Sequence, residues 1–186
     1  MKTYKIISKK KFQVQSYSID VIQKENIEQI RIWRNDQIDI LRQKKHITSS
    51  EQIKYFKNNV WPEMYLKYPE KILMNFNKNK ELIGYGGLVN ISWKNKKAEL
   101  SFLLSSTRCN NEKIYDKDFT VFLKLIKKLA FEYLNFESLF SETYNIRPKH
   151  INILENNSFI QRKIIKKNIK IKGKLIDSIF HVCQKN

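Results

Sequence analysis

Three short stretches of the 186-residue chain carry side chains whose type and spacing can do chemistry. In "KAELSFLLS", strand alternation sets Ala98, Leu100, Phe102 and Leu104 on one face and Glu99, Ser101 and Leu103 on the other. A carboxylate in a central strand needs a task or a partner, because burial alone disfavours its charged form. Glu99 can accept a proton, directly or through one water, or it is a strand-end glutamate that meets solvent or a lysine. In "IRPKHINILENN", Arg147, His150 and Leu154 fall at i, i+3 and i+7, so the arginine and the histidine share a face near a helix N-terminus. An anion is held well there, by the helix dipole and a fixed positive charge. Gly84, Gly86 and Gly87 form "GYGG". A dinucleotide fingerprint is excluded, since G-x-G-x-x-G would need glycine where Val89 stands and the segment continues as strand. Glycines inside a strand mark a bulge or a close approach by a ligand.

Other chemistries find little footing. Neither His46 nor His181 has the neighbouring Ser, Cys or Asp pattern of a nucleophilic triad. Cys109 and Cys183 make neither a disulfide framework nor a metal quartet, and no metal site is expected.

The elements that must position these residues are legible in the hydrophobic pattern. "FQVQSYSIDVI" (12–22) reads as a first strand, and "KENIEQIRIWRN" as a helix with Ile27, Ile30 and Trp33 about a turn apart. A second helix starts at a Ser49 or Ser50 cap and runs through Ile53, Phe56, Val60 and Met64 until Pro62 and Pro69 disrupt its end. Runs at 71–78, 81–93 and 97–105, joined by "NKNK" and "KNKK", predict an antiparallel meander. A polar loop without glycine then leads into a long helix with an apolar face from Phe119 to Leu134. A strand at 138–144, a short helix at 146–157 and a hairpin turning near Gly173 complete the order β α α β β β α β α β β. That is an α+β pattern, one mixed sheet with helices on its faces.

Composition sets the outer bounds. At 41% hydrophobic residues the chain can bury one sizeable core, and residues 1–186 are expected to form one domain. No apolar run nears the ~20 residues that span a bilayer. The N-terminal stretch lacks the uninterrupted apolar segment of a signal peptide, so a cytoplasmic protein with no membrane partner is expected. The net charge of +18 invites a polynucleotide partner, but the basic residues come in short scattered groups at 8–11, 94–97, 124–128 and 162–174. A solvated basic surface fits that spread better than a nucleic-acid groove, and it suits small polyanions such as phosphorylated cofactors.

The order of elements, with "IRIWRNDQIDILRQKKHIT", "ELIGYGGL", "AELSFLL" and "SETYNIRPKHINILENNSF", resembles the GNAT superfamily of N-acetyltransferases. Within it the chain looks most like the branch of ribosomal-protein-alanine and amino-sugar acetyltransferases. The resemblance implies a mostly antiparallel sheet of about seven strands flanked by about four helices. It implies acetyl-CoA as co-substrate, in an opening between the fourth and fifth strands, with no metal.

On this resemblance the backbone of Phe102, Leu103 and Leu104 would meet the pantetheine. The loop from Thr107 to Tyr115, with Arg108, Asn110, Asn111 and Lys113, would meet the pyrophosphate, helped by Arg147. Where most members carry glycines, this loop has none, so a lengthened loop that holds phosphates through Arg108, Lys113 and Lys117 is expected. The resemblance makes Glu99 the base acting through water, with Tyr144 and His150 as further catalytic candidates. A tyrosine that serves many members as proton donor is replaced by Leu154. The acceptor would lie among Trp33, Arg34, Asn35, Arg42, Gln43, Tyr85, Gly86 and Trp93. A primary amine on a nucleotide-linked amino sugar is the acceptor expected first, a protein N-terminus or small amine second, and a non-catalytic basic binding module is the rival outside catalysis. A homo-oligomer is admitted but not specified.

Overall fold

The computed structural model describes residues 3–8 and 11–185. Lys9 and Lys10 of the basic group at 8–11, and Met1 and Lys2 of the N-terminal stretch, lie outside them. One sheet of eight strands runs in the order β1-β2-β3-β4-β5-β6-β8-β7. The strands are β1 (Lys11–Val14), β2 (Tyr17–Val21), β3 (Ile72–Lys78), β4 (Glu81–Ser92), β5 (Lys97–Leu104), β6 (Ser138–Tyr144), β7 (Ile160–Ile171) and β8 (Lys174–Gln184). The expected fold class holds, with one strand more than expected. The run at 12–22 is a hairpin, because Gln15 turns at φ 52° and brings Val14 opposite Tyr17.

The meander follows from its turns. Asn79 and Lys80 both adopt positive φ, 52° and 71°, which closes β3 onto β4 with the twist such hairpins favour. Lys172 and Gly173, at 47° and 81°, do the same between β7 and β8. Gly87 sits at φ 147°, and a Cβ there would lie 2.0 Å from the Ile72 carbonyl oxygen, so β3 and β4 approach through a position only glycine fills.

Among the described residues five α-helices flank the sheet: α1 (Ile27–Asp36), α2 (Ser49–Asn59), α3 (Ser106–Cys109), α4 (Glu112–Lys127) and α5 (Pro148–Asn156). In α1, Ile27, Ile30 and Trp33 are buried, as their spacing predicts. Helix α2 is capped by Thr48, not by Ser49 or Ser50; its hydroxyl accepts from Glu51 N while the Glu51 carboxylate returns to Thr48 N. Phe56, Val60 and Met64 face inward, but Ile53 is 51% exposed. Its expected place in the core is taken by Gln52, which donates to the Ile27 carbonyl at 3.1 Å. Helix α4 continues as a π-helical turn over Lys128–Tyr133 and buries Phe119, Phe122, Leu123 and Ile126. Phe76 and Phe102 meet Phe122 from the sheet, at 5.2 and 4.6 Å between ring centroids. Tyr85 and Ser101 stand on the opposite face, toward α1 and α2.

One junction differs from the rest. β5 and β6 are parallel and pair only at Lys97, Ala98 and Glu99, against Ser138, Leu139 and Phe140. Beyond Glu99 the two strands diverge: β5 stays paired to β4 through Leu104, and β6 stays paired to β8 through Tyr144. The sheet is thus split for half of its height.

Candidate active site

The split gives β5 a free edge. Backbone groups alternate in direction along a strand, and Ser105 N already points to β4, where it donates to Ile83 O at 2.8 Å. Phe102 and Leu104 therefore turn theirs into the gap. Leu103 does not: its carbonyl lies toward β4, 2.6 Å from where a Cβ on Gly84 would sit. Of the three backbones expected on that edge, Phe102 and Leu104 reach it and Leu103 contributes packing. The Leu104 carbonyl is partly occupied, accepting from Gln37 Nε2 at 2.8 Å. Nothing in the sequence pointed to Gln37, whose position just past α1 becomes meaningful only when α1 packs beside β5.

Glu99 sits at the point where the strands part, and both its oxygens are held. Arg42 donates to Oε1 at 2.7 Å and Asn90 Nδ2 to Oε2 at 2.6 Å. Among the described residues no lysine pairs with Glu99; an arginine and an amide hold it. Asn90 reaches it because a positive φ of 48° falls where the β4–β5 register shifts. Glu142 joins from the other arm, its Oε2 2.5 Å from the same Arg42 nitrogen. Alternation in "SLFSETY" puts Glu142 and Tyr144 on one face, a signal that sequence reasoning passed over. Tyr144 is buried beside this group; desolvation pushes its phenol up, and Arg42 works against that rise.

The turn after β5 is compact, not lengthened. α3 and the first turn of α4 take up the residues expected as loop except Asn110 and Asn111, and Asn111 caps α4 by accepting from Ile114 N at 3.1 Å. Arg108 is turned inward, donating to both carboxylate oxygens of Asp118 at 2.6 and 3.1 Å, and Asp118 is wholly buried. The Tyr17 hydroxyl donates to the same carboxylate at 2.9 Å. Asn110, Lys113 and Lys117 are exposed. Cys109 donates to Gln37 Oε1 at 3.3 Å, and burial pushes its thiol up to about 11.

Arg147 and His150 meet through a third residue. Arg147 donates to the Tyr115 hydroxyl at 2.8 Å, and that hydroxyl lies 2.7 Å from His150 Nδ1. His150 stacks on Phe119 at 4.3 Å, and burial, then Arg147, drive its pKa well below the usual 6.5. The ring is neutral, and the Tyr115 hydroxyl, which accepts from Arg147, can donate its O–H to Nδ1 in the tautomer that carries the ring proton on Nε2; burial holds that phenol at about 12. Glu99, Phe102, Tyr144, Arg147 and His150 line one cavity of about 270 Å³ in the split, together with Arg34 and Arg42.

A second cavity, of about 420 Å³, opens on the α1–α2 side and shares Arg34, Val89 and Ser101 with the first. Here Arg34, Asn35, Gln43 and Tyr85 form one chain of hydrogen bonds: Arg34 donates to Tyr85 and Gln43, and Gln43 donates to Asn35. Three residues expected at the acceptor lie elsewhere. Trp33 is in the core, its face used by packing. Trp93 donates to Pro69 O and packs on Phe136, outside either cavity. The space a Gly86 side chain would need is filled by the Ser101 carbonyl, 2.2 Å away, and the Phe122 ring. The close approach implied by that glycine is made by β5, not by a ligand.

The mostly antiparallel sheet, opening where β5 and β6 run parallel, with a free strand edge and a carboxylate at the apex, is the layout that the resemblance to N-acetyltransferases implied. The acetyltransferase (GNAT) domain model matches residues 19–180, and the chain belongs to that family. It is an N-acetyltransferase of GNAT type, for which acetyl-CoA is the co-substrate. Comparison with curated proteins gives no match. Among solved structures, the spermidine N-acetyltransferase of Vibrio cholerae in complex with CoA and spermine superposes with a TM-score of 0.78 at 12% identity, over 92% of this chain and 97% of that one. A chimera of the same enzyme with hSSAT gives 0.76 at 13%, over 91% and 95%. A provisionally assigned phosphinothricin N-acetyltransferase gives 0.68 at 12%, over 92% and 99%. At these identities the likeness concerns the fold, and the acceptors named for those proteins already differ.

Proposed function

We propose that the protein transfers an acetyl group from acetyl-CoA to a small primary amine that enters from the α1–α2 side of the split. The observation that carries this reading is Glu99, fixed where β5 and β6 part, with the free β5 edge on one side and the 420 Å³ cavity on the other. The free edge fits the co-substrate: the groups of Phe102 and Leu104 can hydrogen-bond an amide-bearing arm laid along the gap, and Arg147 adds a cation beside it. Acetyl-CoA supplies the thioester whose C–S bond breaks as the amine's N–C bond forms, CoA leaving as its thiolate and taking a proton from solvent. Glu99 receives the amine proton. Each of its oxygens keeps a lone pair after the bonds to Arg42 and Asn90, so a water in the cavity can relay that proton. Backbone N–H groups at the β5 edge are suited to stabilise negative charge on the carbonyl oxygen. Tyr144, beside Glu99, and His150, neutral beside Tyr115, are placed to orient the groups around this centre. The nucleotide-linked amino sugar of the narrower branch gains no support from the acceptors named for the similar structures, which are small amines; a small acceptor also suits a cavity of about 420 Å³.

The test is thermal stabilisation by acetyl-CoA, followed by thiol release with panels of amino acids, polyamines, amino sugars, nucleotide-linked amino sugars and N-terminal peptides. Glu99→Gln should lower kcat by about 10²–10⁴-fold with little change in KM for acetyl-CoA. No stabilisation at millimolar acetyl-CoA would defeat the proposal and favour a binding module.

A further inference from the structure

Arg34 is a partly buried cation beside the acceptor cavity, and among the described residues no carboxylate pairs with it. Among the described residues Arg31 pairs with Glu28, Arg42 with Glu99 and Glu142, and Arg108 with Asp118. The partners of Arg34 are both neutral: Nε donates to Gln43 Oε1 at 3.1 Å and Nη1 to the Tyr85 hydroxyl at 2.8 Å. Its Nη2 makes no hydrogen bond within the described residues. A guanidinium withdrawn from water costs free energy unless a counter-charge meets it.

The group is also held still. Gln43 is fixed by donating to Asn35 Oδ1 at 2.8 Å, and Asn35 is fixed by both the N–H and the C=O of Ile47, each at 2.9 Å. Such a chain aims the planar donor fork before any ligand arrives. In the lining of the 420 Å³ cavity, Lys45 and Glu51 neutralise each other at 2.7 Å. Arg34 is what remains as the net charge, set against the apolar walls of Ile47, Phe56, Leu73 and Val89. The same side chain borders the cavity that holds Glu99.

We propose that the acceptor carries an anionic group, carboxylate or phosphate, in the same small molecule as its amine, and that Arg34 binds this anion while the amine turns toward Glu99. The assignment rests on the acetyl-transfer reading. A polyamine would set a second cation against Arg34, whereas an amino acid brings one anion, one amine and a side chain for the apolar walls.

Matched acceptors test it on the unaltered enzyme: amino acids against their carboxamides, aminoalkyl phosphates against aminoalkyl alcohols, with spermidine as the cationic control. The acids or the phosphates should exceed their neutral partners in kcat/KM by roughly 10- to 100-fold, the factor expected of one charge-assisted contact; which pair shows it identifies the anion. Arg34→Gln should erase that preference, lowering kcat/KM for the charged acceptors far more than for their neutral partners, and Arg34→Lys should restore part of it. Equal turnover of charged and neutral partners, or a preference for spermidine, overturns the Arg34 assignment and leaves acetyl transfer standing. Failure to acetylate any amine takes down both.

Discussion

The Arg42 guanidinium joins the two arms of the split sheet: one nitrogen donates to Glu99 Oε1 on β5 at 2.7 Å and to Glu142 Oε2 on β6 at 2.5 Å. Arg42 is half exposed, while the two carboxylates keep 9% and 14% of their side-chain exposure. Removing it leaves two carboxylates facing each other with one cation fewer. Solvent screening of the arginine limits the loss, and Arg42→Ala should cost about 1 kcal/mol, or roughly 2–4 °C in Tm for a chain of this size. Adding Glu142→Gln should return most of it, because the repulsion is then gone; a double-mutant cycle by thermal melting reads the coupling directly.

Arg108 makes the opposite case, a cation whose partner is the buried one. Asp118 has 1% side-chain exposure and Arg108 22%. Arg108→Ala strands that carboxylate in the core with Tyr17 as its remaining side-chain donor among the described residues. The expected loss is about 3 kcal/mol in urea unfolding, with KM for acetyl-CoA changed less than threefold in the protein that remains folded. A large rise in KM at unchanged stability would instead place Arg108 on the phosphates.

These two arginines show what could be read beforehand and what could not. Element order, the meander and the face of α4 were legible because hydrophobic period and turn residues act locally. Glu99 was legible for the same reason, as a carboxylate out of place in an apolar strand. Its partners Asn90 and Arg42 lie nine and fifty-seven residues away and are brought in by a bulge and by the α1–α2 connection, which no local pattern encodes. Trp33 and Trp93 looked like acceptor surface by type, yet large aromatic side chains bury the most area when they join the core. Arg108 looked like a phosphate ligand because it lies beside the opening; Asp118, one helix turn beyond Tyr115, claimed it. The first strand broke in two because a left-handed Gln15 leaves no mark in an apolar pattern.

Cys109 lies in the turn that follows the free strand edge, where a reactive thiol would be conspicuous. Burial holds it at about 11, and its S–H is engaged by Gln37 and Leu104 O. Only about one molecule in a thousand carries the thiolate at pH 8, so alkylation by iodoacetamide should run on the order of 100-fold slower than for a free cysteine. Cys183, buried as well, should also react slowly. Mass spectrometry before and after urea should find two modifiable thiols appearing only on unfolding, and rapid native labelling of Cys109 would show that the turn opens.

His150 ties the same region to pH. Its imidazole is neutral when folded, with a pKa well below the usual 6.5, because it is buried against Phe119 and faces Arg147. Above pH 6.5 the side chain is neutral in both the folded and the unfolded chain and adds no pH dependence. Below 6.5 the unfolded histidine takes up a proton that the folded one refuses, so stability falls as pH falls, by up to about 1.4 kcal/mol per pH unit. The decline continues until the depressed folded pKa is reached. Glutamine at this position can accept from Tyr115 without titrating, so His150→Gln should show a shallower loss between pH 6.5 and 5, whatever its stability at pH 7.5. Urea unfolding of both proteins across that window measures the difference in slope; parallel slopes would mean that His150 takes its proton without unfolding.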